Sequence, residues 1–201
     1  TEAEDGQLRT PLSLACESKA FESAQMLITG GASVPGLGSA TAQRLAEEGA
    51  KVCVTDIDLD GAEAVAKGIR DAGGTAMALK QDVADEADWD SVLDRIAQEW
   101  GSLDILVNNA GIAVLRPIEN LTSADWNKQL TVNLDSVFFG TRRAVEIMRK
   151  AGKGGLIVNL SSVAGLVGVP ACSAYAAAKA GVRMFGKTIA IECARDNIRV
   201  N

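Results

Sequence analysis

Tyr175 and Lys179 lie four residues apart in Ser173 to Ala194, a stretch whose apolar spacing predicts a helix. Residues at that interval share one helix face. An ammonium beside a phenol favours the phenolate form. Such a group can take a proton from an oxygen of a bound molecule, or return one, which is general acid–base work. Tyr175 is the one tyrosine of the chain, so no second phenol can stand in for it. Alone, the two residues fit a surface pair on a helix equally well. Their meaning depends on what else converges on them.

A second cluster lies near the beginning. Thr29-Gly30-Gly31-Ala32-Ser33-Val34-Pro35-Gly36-Leu37-Gly38 follows an apolar run and precedes a helical pattern. Glycines there let the backbone turn sharply and approach a pyrophosphate, which the N–H groups and dipole of a helix N-terminus favour. Gly30, Ser33, Gly36, Leu37 and Gly38 are the candidate contacts. Asp56, followed by Ile57, closes the next strand and is placed to accept hydrogen bonds from an adenosine ribose. Its carboxylate repels a 2′-phosphate, and the glycine turn holds no Lys or Arg to bind one. Together these favour NAD over NADP.

The elements that must position these residues alternate. Strands are predicted at Gln25 to Thr29, Lys51 to Thr55, Thr75 to Leu79, Leu103 to Val107 and Leu156 to Leu160, with another beginning at Ile198. Helices are predicted at Ser39 to Glu48, Gly61 to Ala72, Glu86 to Trp100 and Ser173 to Ala194. A long one over Ser123 to Lys150 is expected to break near Asn133. Strands separated by helices of this length indicate right-handed crossovers, hence an α/β doubly wound parallel sheet, Rossmann-like, with helices on both faces. Near-continuous apolar strands suit a sheet covered on both sides. Residues 1–20 read as an extension, and residues 21–201 as one dinucleotide-binding and catalytic domain.

In this order the motifs resemble the short-chain dehydrogenase/reductase family. Asp82-Val83 follows the third strand, where the resemblance implies contact with adenine. Asn108-Asn109-Ala110-Gly111 follows the fourth, where Asn109 would stabilise the sheet and lie near the cofactor. Asn133, in Val132-Asn133-Leu134, matches the family's helix asparagine. Ser162 precedes Tyr175 by thirteen residues, the family's interval, which selects it over Ser161. The resemblance implies a catalytic set of Asn133, Ser162, Tyr175 and Lys179. Ser162 would bind the substrate oxygen, Lys179 would also hold the nicotinamide ribose, and Asn133 would support a proton relay. It implies hydride transfer between NAD and a secondary alcohol or ketone, and a homodimer or homotetramer built on the last two long helices. A 3-oxoacyl thioester reductase and a truncated, catalytically silent dinucleotide-binding module are the alternatives.

Two departures from the family are visible. Five residues separate Gly30 from Gly36, as though Val34-Pro35 were inserted, and Pro35 has no N–H to offer. Family members also continue past the equivalent of Asn201 through a sixth strand, a Pro-Gly turn, a substrate-covering loop and a last strand. Those segments are expected to be missing here, leaving the substrate unreadable and an edge of the sheet exposed.

Composition excludes several classes. The net charge is −6 with no basic run, which argues against a nucleic-acid partner. There is no histidine, and Cys16, Cys53, Cys172 and Cys193 are far apart, which argues against a metal site. Isolated cysteines in apolar surroundings read as buried thiols of a reducing compartment. No apolar run reaches the length of a membrane span, and Thr1 to Asp5 lack the order of a signal peptide. The expectation is a cytoplasmic enzyme.

Overall fold

Short apolar runs become the strands of one sheet because both of its faces are covered. The computed structural model describes residues 24–33 and 35–201; the expected extension over residues 1–20 lies outside them, as does Val34. Among the described residues the strands are β1 (Gln25–Thr29), β2 (Lys51–Asp56), β3 (Thr75–Lys80), β4 (Ile105–Asn108), β5 (Gly155–Asn159) and β6 (Ile198–Val200). They are parallel throughout, in the order β3-β2-β1-β4-β5-β6. The helices are α1 (Leu37–Glu47), α2 (Leu59–Asp71), α3 (Glu86–Trp100), α4 (Ser123–Leu130), α5 (Ser136–Ala151) and α6 (Ser173–Glu192). The expected doubly wound sheet is the observed one. The order reverses between β1 and β4, and a crevice opens there beyond the carboxyl ends of the strands.

Successive strand residues point to opposite faces, so each strand feeds two cores. Met26, Ile28, Val52 and Val54 pack with Ala42 and Leu45 of α1 and Val65 and Ile69 of α2. Leu27, Cys53, Leu106 and Ile157 pack on the other face with Trp89 and Leu93 of α3 and Ala144 and Met148 of α5. Asp58, Asp85 and Thr122 cap the helices that follow them, their side-chain oxygens accepting from the N–H groups of Gly61, Ala87 and Asp125. No described helix is long and apolar enough to cross a membrane.

Boundaries differ from the sequence expectation in physically informative places. α1 begins at Leu37 rather than Ser39, because Gly36 takes the extended N-cap conformation and Gly38 already lies in the first turn. The break near Asn133 is a π-helical turn, Thr131–Asp135, in which the Ser136 N–H donates to the Thr131 carbonyl five residues back. The predicted beginning of a strand at Ile198 is a three-residue strand paired with β5, and it is outermost on that side of the described sheet.

Trp89 locks α3 onto α5. Its ring is 1% exposed, its indole N–H donates to the Val83 carbonyl at 3.0 Å, and a methyl on Gly140 would lie 2.4 Å from the ring. Gly140→Ala is therefore expected to destabilise the fold by about 1–3 kcal/mol through overpacking. A urea denaturation midpoint equal to that of the parent chain would contradict this packing.

Candidate active site

The crevice begins with a hydrogen-bonded staple. The Thr29 hydroxyl, at the end of β1, accepts from the backbone N–H groups of Asn109 and Ala110, each at 3.1 Å. The Asn109 side-chain amide returns to the carbonyls of Thr29 at 2.8 Å and Gly30 at 3.0 Å. Gly30 has φ +66°, and a Cβ on it would come within 2.8 Å of the Ala110 Cα, so the position is closed to other residues. Gly38 is buried against this staple, since a Cβ there would meet the Gly30 carbonyl at 2.5 Å. The structure thus gives Gly38 a close-packing role. Ser39 closes the loop that precedes α1: its hydroxyl accepts from the Gly36 N–H at 3.2 Å and donates to the Ser33 carbonyl at 2.7 Å.

A cleft of ≈ 730 Å³ lies over this turn. Gly30, Ser33, Asp56, Ile57, Asp82, Val83 and Asn109, seven of the expected cofactor residues, line it. Gly36, Leu37 and Gly38 stand beside it at the start of α1, with Leu37 exposed. The Asp56 carboxylate accepts from the Ala32 N–H at 3.0 Å and the Asp58 N–H at 3.1 Å, which aims it at the glycine turn. Asp82 accepts from the Ala84 N–H at 2.9 Å. Gln81 also lines the cleft; its Oε1 accepts from the buried Thr55 hydroxyl at 2.7 Å, and its buried Nε2 has no partner among the described residues. A glycine cradle, an acid at the end of β2 and an orphaned amide donor suit a dinucleotide.

Tyr175 and Lys179, the expected acid–base residues, lie on α6. Lys179 is 4% exposed, and its ammonium donates to the Leu160 carbonyl at 2.7 Å. Nζ lies 5.8 Å from the centroid of the half-buried Tyr175 ring, over its face. Burial pushes the lysine pKa below its ordinary value of 10.5. The loop after β5 docks on the same turn of α6: the Ser161 hydroxyl donates to the Lys179 carbonyl at 2.8 Å, and a Cβ on Gly165 would lie 2.9 Å from that carbonyl. Ser161 is thereby committed to the helix. Ser162 accepts from the Ala164 N–H at 3.2 Å, capping the short turn Val163–Gly165, and its own O–H is uncommitted among the described residues. Ser162 lines a second cleft, of ≈ 660 Å³, together with Leu166.

Asn133 sits in the π-helical turn, fully buried. Its Oδ1 accepts from the Ile112 N–H at 3.0 Å, and its Nδ2 donates to the carbonyls of Ile112 at 2.8 Å and Gln129 at 2.9 Å. A Cβ on Gly111 would lie 2.8 Å from Asn133 Oδ1 and 3.5 Å from Lys179 Nζ. Asn133 and Lys179 therefore converge on one glycine at the edge of the cofactor cleft.

The family described as short chain dehydrogenase matches residues 24–201. The chain belongs to the short-chain dehydrogenase family. It is 46% identical over 177 residues to the cyclopentanol dehydrogenase of Comamonas testosteroni, covering 88% of this chain and 69% of that one. It is 42% identical over 179 residues to the NADP-dependent (R)-specific alcohol dehydrogenase of Lentilactobacillus kefiri, covering 87% and 69%. A solved short chain dehydrogenase from Mycobacterium smegmatis superposes with a TM-score of 0.87 at 35% identity, covering 90% of this chain and 75% of that one. This short-chain dehydrogenase is accordingly an oxidoreductase acting on a CH–OH group with a nicotinamide dinucleotide.

Several residues of the dehydrogenase site were not singled out from the sequence. Thr29 and Ser39 act through hydroxyls whose partners lie on other loops; a Thr at a strand end and a Ser in a first helical turn were the available signals. Lys128, on α4, is the one Lys or Arg among the described residues lining the dinucleotide cleft. No local pattern ties it to the glycine turn. Gln129 had no signal beyond its place one turn before Asn133.

Lys179 yields a test of stability against pH. Because burial lowers its native pKa, the unfolded chain binds more protons between that lowered value and 10.5. Stability contributed by this group is complete above 10.5 and is lost as pH falls through the native value. Lys179→Met should lose that pH-dependent rise and be at least as stable as the parent at neutral pH. Urea titrations across this range check it; a variant clearly weaker at neutral pH would show that the buried ammonium is not a cost to the fold.

Proposed function

We propose that this short-chain dehydrogenase transfers a hydride between NAD(H) and a secondary alcohol or its ketone, with Tyr175 as the general acid–base. One observation carries the reading: a buried ammonium, Lys179, donates to a single carbonyl among the described residues and stands over the ring of the chain's one tyrosine. A charge placed this way costs stability, and such placements cluster where chemistry needs them.

Bound in the cleft, the nicotinamide would supply the hydride acceptor or donor. The chain's residues do the rest. Gly30, Ser33, Gly36 and Leu37 would present the turn and helix end to the diphosphate. Asp56 and Ile57 would hold the adenosine ribose, Asp82 and Val83 the adenine, and Lys179 the nicotinamide ribose. Ser162 would donate to the substrate oxygen and stabilise the charge that develops on it. Tyr175 would take the hydroxyl proton of the alcohol during oxidation and return it during ketone reduction. The Lys179 ammonium would offset the charge changes beside it, and Asn133 would keep the Ile112 backbone in place for a proton path.

Asp56 supports NAD, because a carboxylate held toward the turn repels a 2′-phosphate. The exposed apolar side chains Val163, Leu166 and Val167 beside Ser162 support an apolar substrate, and the cyclopentanol-oxidising relative supports an alicyclic one. Phe138 and Met184 are exposed on α5 and α6, which supports a homodimer or homotetramer through these helices. Free buried Cys53, Cys172 and Cys193 suit a reducing, cytoplasmic setting.

Tyr175→Phe should lower kcat for cyclopentanol by about a thousandfold or more, with NADH affinity, read by fluorescence, roughly unchanged. Turnover near the parent level would remove Tyr175 from the mechanism. Separately, kcat/KM should favour NAD over NADP by at least about tenfold, and Asp56→Ala should narrow that ratio, an effect worth about 1.4 kcal/mol per decade. A parent chain that prefers NADP would show that Asp56 does not set the choice.

A further inference from the structure

Gln129 and Asn133 are two carboxamides one helical turn apart, and both are fully buried. They grip alternate residues of the segment Gly111 to Val114. Asn133 satisfies both the N–H and the C=O of Ile112, and Gln129 Oε1 accepts from the Val114 N–H at 2.9 Å. The Asn133 side chain is also tied to the Gln129 backbone, because its Nδ2 donates to the Gln129 main-chain carbonyl at 2.9 Å. Asn133 lies within the π-helical turn Thr131–Asp135, which directly follows the helix that carries Gln129.

Packing does not account for a glutamine at position 129. Its Nε2 is buried without a partner among the described residues, and an amide buried with an unmade donor is penalised where Leu or Met would not be. What Gln129 supplies is the acceptor for Val114. The segment it holds borders the chemistry: Gly111 and Ile112 line the dinucleotide cleft, and Gly111 lies against both Asn133 Oδ1 and Lys179 Nζ.

We propose that Gln129 is a positioning residue of the dehydrogenase reaction, which fixes Gly111 to Val114 through Val114 and so sets the backbone wall against which Lys179 and the cofactor are placed. This rests on the acid–base reading of Tyr175 and Lys179. Small displacements of such a wall lower the rate more than they weaken binding.

The test uses the whole chain with cyclopentanol and NAD. Gln129→Met keeps length and bulk and removes the acceptor; Gln129→Glu keeps an acceptor oxygen. Q129M should lose between about tenfold and a hundredfold in kcat, with the alcohol KM and NADH affinity near those of the parent. The Val114 amide should lose its protection from hydrogen exchange. Q129E should recover most of kcat. Parent-like kcat in Q129M, an equal loss in Q129E, or a loss that only tracks the folded fraction by circular dichroism would each overturn the proposal. A parent chain without turnover would sink the acid–base reading instead. The exchange measurement still decides in that case: lost Val114 protection in Q129M supports the clamp, and retained protection overturns it.

Discussion

The site depends on the staple between the ends of β1 and β4. These strands are neighbours in the sheet but about eighty residues apart in the chain, and at this point the sheet order reverses. Left alone, the backbone groups beyond each strand end would splay apart and seek water. The Thr29 hydroxyl and the Asn109 amide instead satisfy four of them across the gap. A hydrogen bond of this kind contributes only about 1 kcal/mol net, but each also removes freedom from a loop that carries binding groups. Gly30, Gly38, Gly111 and the Asn109 side chain all take their positions from this junction.

The end around Lys179 is arranged by a different constraint, the burial of polar groups with few partners. Taking an ammonium out of water costs several kcal/mol, whereas one charge-assisted hydrogen bond returns about 1.5–3 kcal/mol. Lys179, with one carbonyl, stays short of balance. Gln81 and Gln129 each keep a buried amide donor without a partner among the described residues. All three lie in or beside the dinucleotide cleft. The two hydrophobic cores, well filled on both sheet faces, supply the stability that such a site draws on.

Close approach of backbones transmits position between these parts. Gly165 lets the loop after β5 touch α6 at Lys179, and Ser161 bonds to the same residue's carbonyl, so Ser162 and Tyr175 are referred to one turn of one helix. Gly111 does the same for the loop after β4 with respect to Asn133 and Lys179. The choice between adjacent serines shows the consequence. Ser161 and Ser162 are chemically identical, yet docking occupies the O–H of one and leaves the O–H of the other uncommitted among the described residues.

The alternation of strands and helices, the glycine turn, Asp56 and the Tyr175–Lys179 spacing were legible in the chain, because each is local: periodicity, turn chemistry and helix geometry act over a few residues. Even the interruption at Asn133 could be read, though its form as a π-helical turn could not, since it depends on where Ile112 and Gln129 sit. By itself, then, the sequence determined the sheet, the order of the motifs and the spacing that puts Tyr175 and Lys179 on one helix. Tertiary structure alone decided which hydroxyls and amides are spent on the scaffold. It made Thr29, Ser39 and Ser161 fasteners, brought Lys128 to the dinucleotide cleft from α4, and set Gln129 on the Val114 N–H. The physical reason is that a hydrogen bond is a property of two groups in space, and these partners come from segments whose proximity exists only once the sheet has closed.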